Sequence, residues 1–179
     1  MKTRDDHDLV RRFKEGDFSA FERIMQTYQD RIFNLCLYML RQREDAQDAA
    51  QETFVKVFRN LKRFEPEASL YTWIYRIAVN TCRDQRRKRR TELPESDLPY
   101  PDTCSQAFAE DPYDSMEASE LLRWALHKVP EKLRAVIVLK EMEGLSYEEI
   151  AEVLDISPGT VKSRISRARE KLCRLLGKK

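Results

Sequence analysis

The chain has 179 residues, of which 41% are hydrophobic and 36% charged, and its formal net charge is only +2. That length holds one domain or two small ones, and the composition is that of a charge-rich globular protein. No apolar run approaches the roughly 18 residues of a membrane span, and the N-terminal stretch MKTRDDHDLVRRF lacks the apolar core of a signal peptide. A cytoplasmic protein with no direct membrane insertion is expected.

The small net charge hides a strong asymmetry. Residues 1–90 carry 20 Lys/Arg against 14 Asp/Glu, a net of +6. Residues 91–122 carry nine acids and no Lys or Arg. Residues 123–179 carry 13 Lys/Arg against eight acids, a net of +5. Two basic lobes joined by an acidic connector point to polyanion binding by the lobes. The four cysteines, Cys36, Cys82, Cys104 and Cys173, are scattered, and neither His7 nor His127 lies near a cysteine cluster. Zinc sites use tight pairs, so no metal or cofactor is expected. Reduced thiols are, with Cys36 a small core residue.

Only four glycines occur and no strand-like alternation stands out, so the fold is expected to be all-α. Ser19 and Glu22 form a possible S-x-x-E capping box. After them Phe21, Met25, Tyr28, Ile32, Leu35 and Met39 recur at helical spacing. A second helix is expected over residues 45–61, with Ala46, Ala49, Thr53, Val57 and Leu61 on its inner face. Pro66 falls in the following loop. A third helix, over about residues 69–89, turns Leu70, Trp73 or Ile74, Ile77 and Thr81 inward. Residues 91–116 hold four of the seven prolines and show no helical period, which makes a linker, partly extended by charge repulsion. Helix resumes near Ser115. The division expected is an N-terminal helical domain (1–90), an acidic flexible linker (91–115) and a C-terminal helix-turn-helix domain (116–179).

The strongest local signal is LSYEEIAEVLDISPGTVKSRISRAREKL, residues 145–172. Ser146 caps a helix and Glu149 closes its capping box. After the short turn Asp155-Ile156, Ser157 caps a second helix with Pro158 at its first position. This is a helix-turn-helix pattern. At 100° per residue, Val161, Ile165, Ala168 and Leu172 form the core stripe. The far side carries Gly159, Lys162, Ser163, Ser166 and Arg167, suited to base edges in a major groove. Arg164, Arg169 and Lys171 flank it and suit phosphates.

The third helix carries a second cationic stripe. Arg76, Asn80, Arg83, Arg87 and Arg90 follow one another at helical spacing, and Arg86, Lys88 and Arg89 thicken its end. Asn pairs with base edges while arginines hold phosphates. Phe64, Tyr71, Trp73 and Tyr75 lie on or beside the helix, and aromatics among cations suit unstacked bases. For Trp73 a core position is favoured. The second helix differs, since Asp45, Asp48, Gln51 and Glu52 give it an acidic outer face that would repel DNA and wants another partner.

DAQDAAQETFVKVF (45–58), YTWIYRIAVNTCRD (71–84) and GLSYEEIAEVLDISPGTVKSRISRAR (144–169) together closely resemble bacterial sigma factors of the extracytoplasmic-function class, in the sigma-70 family, nearest its sigma-E branch. The resemblance runs in order over nearly the whole chain and fails only in the linker. It implies a non-enzymatic subunit that binds core RNA polymerase and directs promoter-specific transcription of a stress or envelope-response regulon. Asp48, Gln51, Glu52 and Phe54 match the surface that grips the clamp helices of the largest polymerase subunit. Residues 63–84 match the part that melts and reads the minus-ten element, with Phe64, Tyr71, Arg76 and Arg83 along it and Arg87 continuing the stripe just beyond. Asn80 matches the reader of a flipped-out base, in a pocket formed by the loop before Ser69. Lys162, Ser163, Ser166 and Arg167, flanked by Arg164 and Arg169, match the minus-thirty-five readers. Ser166 departs from the sigma-E branch, which carries a bulky aromatic there. Partners implied are the clamp helices, the flap of the second-largest subunit, duplex and single-stranded promoter DNA, and an anti-sigma factor able to hold the protein at the inner membrane. The linker is implied to thread the channel that later carries RNA.

Two alternatives stay open on the residues alone. A helix-turn-helix regulator of another kind would carry a receiver domain, and residues 1–90 show no βα pattern for one. A nucleic-acid enzyme would need catalytic residues, and no P-loop, G-x-G-x-x-G, H-E-x-x-H or paired Cys/His motif occurs.

Overall fold

The computed structural model describes residues 2–65, 69–92 and 118–177. They form eight α-helices and, among the described residues, no strand. The linker, the onset of helix at Ser115, Cys104 and the side chain of Arg90 lie outside the described residues.

α1 (Lys2–Lys14), absent from the sequence expectation, opens the chain. Its own apolar signal is one short turn, Leu9, Val10 and Phe13, so tertiary partners sustain it. Val10 and Phe13 are buried, the hydroxyl of Tyr28 donates to the buried Asp6 at 2.8 Å, and Lys14 Nζ donates to the carbonyl of Phe64 at 2.6 Å. α2 (Phe18–Met39) follows. Its cap is Asp17 rather than the expected Ser19–Glu22 box, because the Asp17 carboxylate accepts from both the Ser19 amide and the Ser19 hydroxyl. Those bonds, with Arg12, hold the Asp17 carboxyl down at about 2.

α3 (Arg43–Asn60) runs into a 3₁₀ turn, Leu61–Arg63. The expected inner face, Ala46, Ala49, Thr53, Val57 and Leu61, is fully buried. α4 (Leu70–Glu92) is rotated from the expected inner face. Its buried side is Leu70, Ile74, Tyr75, Ala78, Thr81 and Cys82, while Trp73 and Ile77 are half-buried. The correction has a physical cause: small Ala78 and Cys82 let α4 approach α2 closely, where Cys82 Sγ lies 3.6 Å from Cys36 Sγ.

The C-terminal half contains α5 (Ala118–Lys128), α6 (Glu131–Ile137), a π-helical turn Val138–Met142, α7 (Tyr147–Leu154) and α8 (Pro158–Leu176). The helix-turn-helix forms as its residues dictate. Ser146 and Glu149 make both bonds of the capping box, Asp155 ends α7 in a left-handed conformation, and Ser157 caps α8. Val161, Ile165 and Ala168 are buried, with Leu172 half-buried. This bundle packs directly on the N-terminal one. The buried Arg134 joins them, donating from Nη1 to the Met39 carbonyl at 2.9 Å and from Nη2 to the carbonyls of His127 (3.1 Å) and Val129 (3.0 Å).

Candidate nucleic-acid interface

α8 presents its polar face outward. Lys162, Ser163, Ser166 and Arg167 are exposed and Arg164 is half-buried. The Ser157 cap and Pro158 at the first position fix the N-terminal turn that would enter a groove. Arg169, expected on a phosphate, is held instead by Glu141, with Nε at 3.2 Å and Nη2 at 2.6 Å from Oε1. This ion pair is exposed and worth little.

The cationic stripe of α4 faces the C-terminal bundle. Arg76 donates from Nε and Nη2 to the carbonyl of Glu152 at 3.2 and 2.7 Å. Arg83 and Arg86 both reach Glu131, at 3.6 and 3.0 Å. Arg87 pairs with Asp84 on its own helix at 3.1 Å. Asn80 is exposed between them. Of the aromatics, Phe64 is only 3% exposed and Tyr75 is fully buried, so in this conformation neither offers a ring face to a base. The reason for Phe64 is its contact with Trp73, centroids 5.1 Å apart, beneath a carbonyl tied to Lys14. Tyr71 is half-buried, its ring 4.4 Å from that of Tyr75 and under the Arg31 guanidinium at 5.1 Å.

On the outer face of α3, Asp48 and Gln51 are exposed, Glu52 pairs with Lys56 at 3.0 Å, and Phe54 is almost buried. Phe54 and Gln51 line an open groove between α2 and α3, together with Phe21, Met25, Phe33 and Phe58. Phe58, Val55 and Phe18 are the large apolar side chains most exposed there, Phe18 at 60%. An exposed aromatic patch on a charge-rich surface marks an interaction site.

Two family models match: sigma-70 region 2 over residues 24–92 and sigma-70 region 4 over residues 119–172. An ECF RNA polymerase sigma-E factor of Haemophilus influenzae is 39% identical over 92% of each chain. The chain belongs to the sigma-70 family. A further relative, the ECF RNA polymerase sigma factor SigW of Bacillus subtilis, is 37% identical over 91% of this sigma factor and 92% of that one. The sigma factor RpoE of Bartonella quintana, solved in complex with the anti-sigma factor NepR, matches with a TM-score of 0.73 and 29% identity, over 88% of this chain and 96% of that one. The all-α fold and the extracytoplasmic-function class read from the three motifs therefore stand, and the protein is a sigma factor directing transcription initiation. The rival regulator of another kind is not favoured. No described helix is long and apolar enough to cross a membrane.

Two parts of this sigma factor's surface escaped the sequence. The α2–α3 groove did, because α3 already had a complete inner stripe. A visible signal was present in Phe54 and Phe58, a second apolar pair four residues apart beside that stripe. Arg31 also escaped, because the groups it binds, Tyr71 and Glu143, lie far from it in the sequence.

Proposed function

We propose that the two basic helices read separate promoter elements and that the α2–α3 groove holds the core polymerase. In this division residues 1–90 form the unit for core binding and minus-ten recognition and melting. Residues 91–115 are the tether, and 116–179 form the minus-thirty-five unit. Lys162, Ser163, Ser166 and Arg167 read base edges, with Arg164 and Arg169 on phosphates. Asn80 reads a flipped base while Arg76, Arg83 and Arg87 hold the strand. Tyr71 supplies a stacking ring, while Phe64 is buried against Trp73. Asp48, Gln51, Glu52 and Phe54 meet the clamp helices, Phe54 from the groove and the others from its acidic rim. The polymerase flap and an anti-sigma factor complete the set of partners. The protein is non-enzymatic and cytoplasmic, associates with the nucleoid, is held at the inner membrane by its anti-sigma factor, and serves a stress or envelope regulon.

The observation that carries this reading is the contrast between surfaces: two basic helices, and an aromatic groove beside the acidic outer face of α3. A plain DNA-binding regulator has no use for the groove. The test is assembly with core RNA polymerase. The full chain co-elutes with core enzyme and supports transcription from a promoter library. Asp48→Ala with Gln51→Ala weakens core affinity by about tenfold or more, on the order of 1.4 kcal/mol, while the helical circular dichroism is kept. A chain that binds duplex DNA yet never associates with core enzyme would overturn the reading.

A further inference from the structure

The face of α4 assigned above to the minus-ten strand is already occupied by the protein itself. Glu143, at the end of the π turn, has a side chain only 5% exposed. Its carboxylate accepts from Arg31 Nε at 3.2 Å and from the hydroxyl of Tyr75. Its carbonyl accepts from Arg31 Nη2 at 3.1 Å and from the hydroxyl of Tyr71 at 2.9 Å. One turn along, the Thr72 hydroxyl donates to Glu152 Oε1 at 3.3 Å, and Arg76 donates to the Glu152 carbonyl.

Burying a carboxylate is costly unless it is paired and hydrogen-bonded, and Glu143 is both. Burial lowers the affinity of the Arg31 guanidinium for its proton, but Tyr75, Tyr71 and Glu143 outweigh this and leave its pKa raised. The groups that hold these glutamates are two guanidiniums and three hydroxyls beside a tyrosine ring. That set equally suits the phosphates and bases of a single strand.

We propose that Arg31, Tyr71, Thr72 and Arg76 form one anion-binding face for the backbone of single-stranded DNA, and that Glu143 and Glu152 of the C-terminal bundle compete for it in the free chain. This rests on the reading of α4 as the minus-ten helix and adds Arg31 of α2 to it. The competitor and the strand claim the same donors, so the free protein binds single strands only in the fraction of molecules whose bundles have parted.

The full-length chain without polymerase tests this, with a short fluorescein-labelled oligo(dT) as probe and X-ray scattering as a separate measure of opening. Glu143→Ala removes the carboxylate that accepts from Arg31 and Tyr75 and leaves only the backbone carbonyl to Arg31 and Tyr71. It expands the scattering profile and tightens oligo(dT) binding severalfold. Arg31→Ala opens the chain from the other side but gives no gain. In the Glu143→Ala background it lowers the slope of log affinity against log salt by about 0.7, the scale of one single-strand phosphate. Glu148→Ala, which removes an exposed acid of α7, controls for charge and leaves both readouts at the parent values. A profile that expands for neither Glu143→Ala nor Arg31→Ala overturns the competition, whatever happens to affinity. Expansion with unchanged oligo(dT) affinity overturns the shared face and, with it, the reading of α4, while the contact between bundles survives.

Discussion

α4 and α8 are both long basic helices, yet they stand differently in the molecule. On α8, Lys162 and Arg167 are exposed, Arg174 is held by Glu170 of its own helix, and Arg169 alone of these reaches another element, at Glu141 of the π turn. On α4, Arg87 is held by Asp84 of its own helix, but Arg76 is engaged across the structure by Glu152, and Arg83 and Arg86 by Glu131. A cationic stripe thus states what a helix can hold, and tertiary packing states when it is free to do so. In the free protein the residues proposed to read a duplex on α8 are exposed, whereas Arg76, Arg83 and Arg86 of α4 are engaged by acids of the C-terminal bundle.

The largest effect that should erase this difference comes from Arg134. Arg134→Ala leaves the carbonyls of Met39, His127 and Val129 without their charged donor. It should cost about 3 kcal/mol in chemical denaturation and make α4 as accessible as α8. Hydrogen exchange reads the second part. Amide protection in α4 that stays at the parent level would mean that Arg134 does not hold the cover in place.

A smaller effect sharpens the comparison from the side of α8. Arg167→Ala should weaken a minus-thirty-five duplex by about 1–3 kcal/mol relative to random DNA. Arg169→Ala should weaken both duplexes alike, and by less, since Arg169 must first leave Glu141. Equal losses on specific and random DNA for both variants would remove Arg167 from base reading.

The smallest effect near neutral pH concerns His127. Burial, reinforced by Arg134, holds its imidazole down at about 4 from an ordinary 6.5. The unfolded chain therefore binds the extra proton first, and stability present above pH 6.5 is lost as pH falls toward 4. Thermal melts of the parent should decline over that window, and His127→Gln should flatten the decline. A decline that keeps its shape in His127→Gln would assign the proton to another group.

Local rules made the helix-turn-helix legible. Ser146, Glu149, Ser157 and Pro158 each act within a turn of their own position, so spacing alone located both helices. The inner face of α3 was legible for the same reason. What escaped depends on neighbours distant in sequence. α1 is sustained by Tyr28 and Phe64, and the rotation of α4 by its approach to Cys36. The burial of Phe64 is set by Trp73 and Lys14. At the interface, residue types on α4 gave its chemistry, but nothing in its own pattern marks Glu143, some 70 residues away, as its occupant.

The two buried thiols have a consequence for oxidative chemistry. Cys36 and Cys82 touch each other in the core, and the bond to Cys36, with burial, pushes the Cys82 thiol well up. The reactive form of cysteine is the thiolate, so Cys82 is protected by lack of charge, and both thiols are protected by lack of access. Cys173, near the end of α8, is exposed. Peroxide or an alkylating reagent should therefore mark the tail of α8 long before it reaches the joint between α2 and α4, and the fold should outlast that modification.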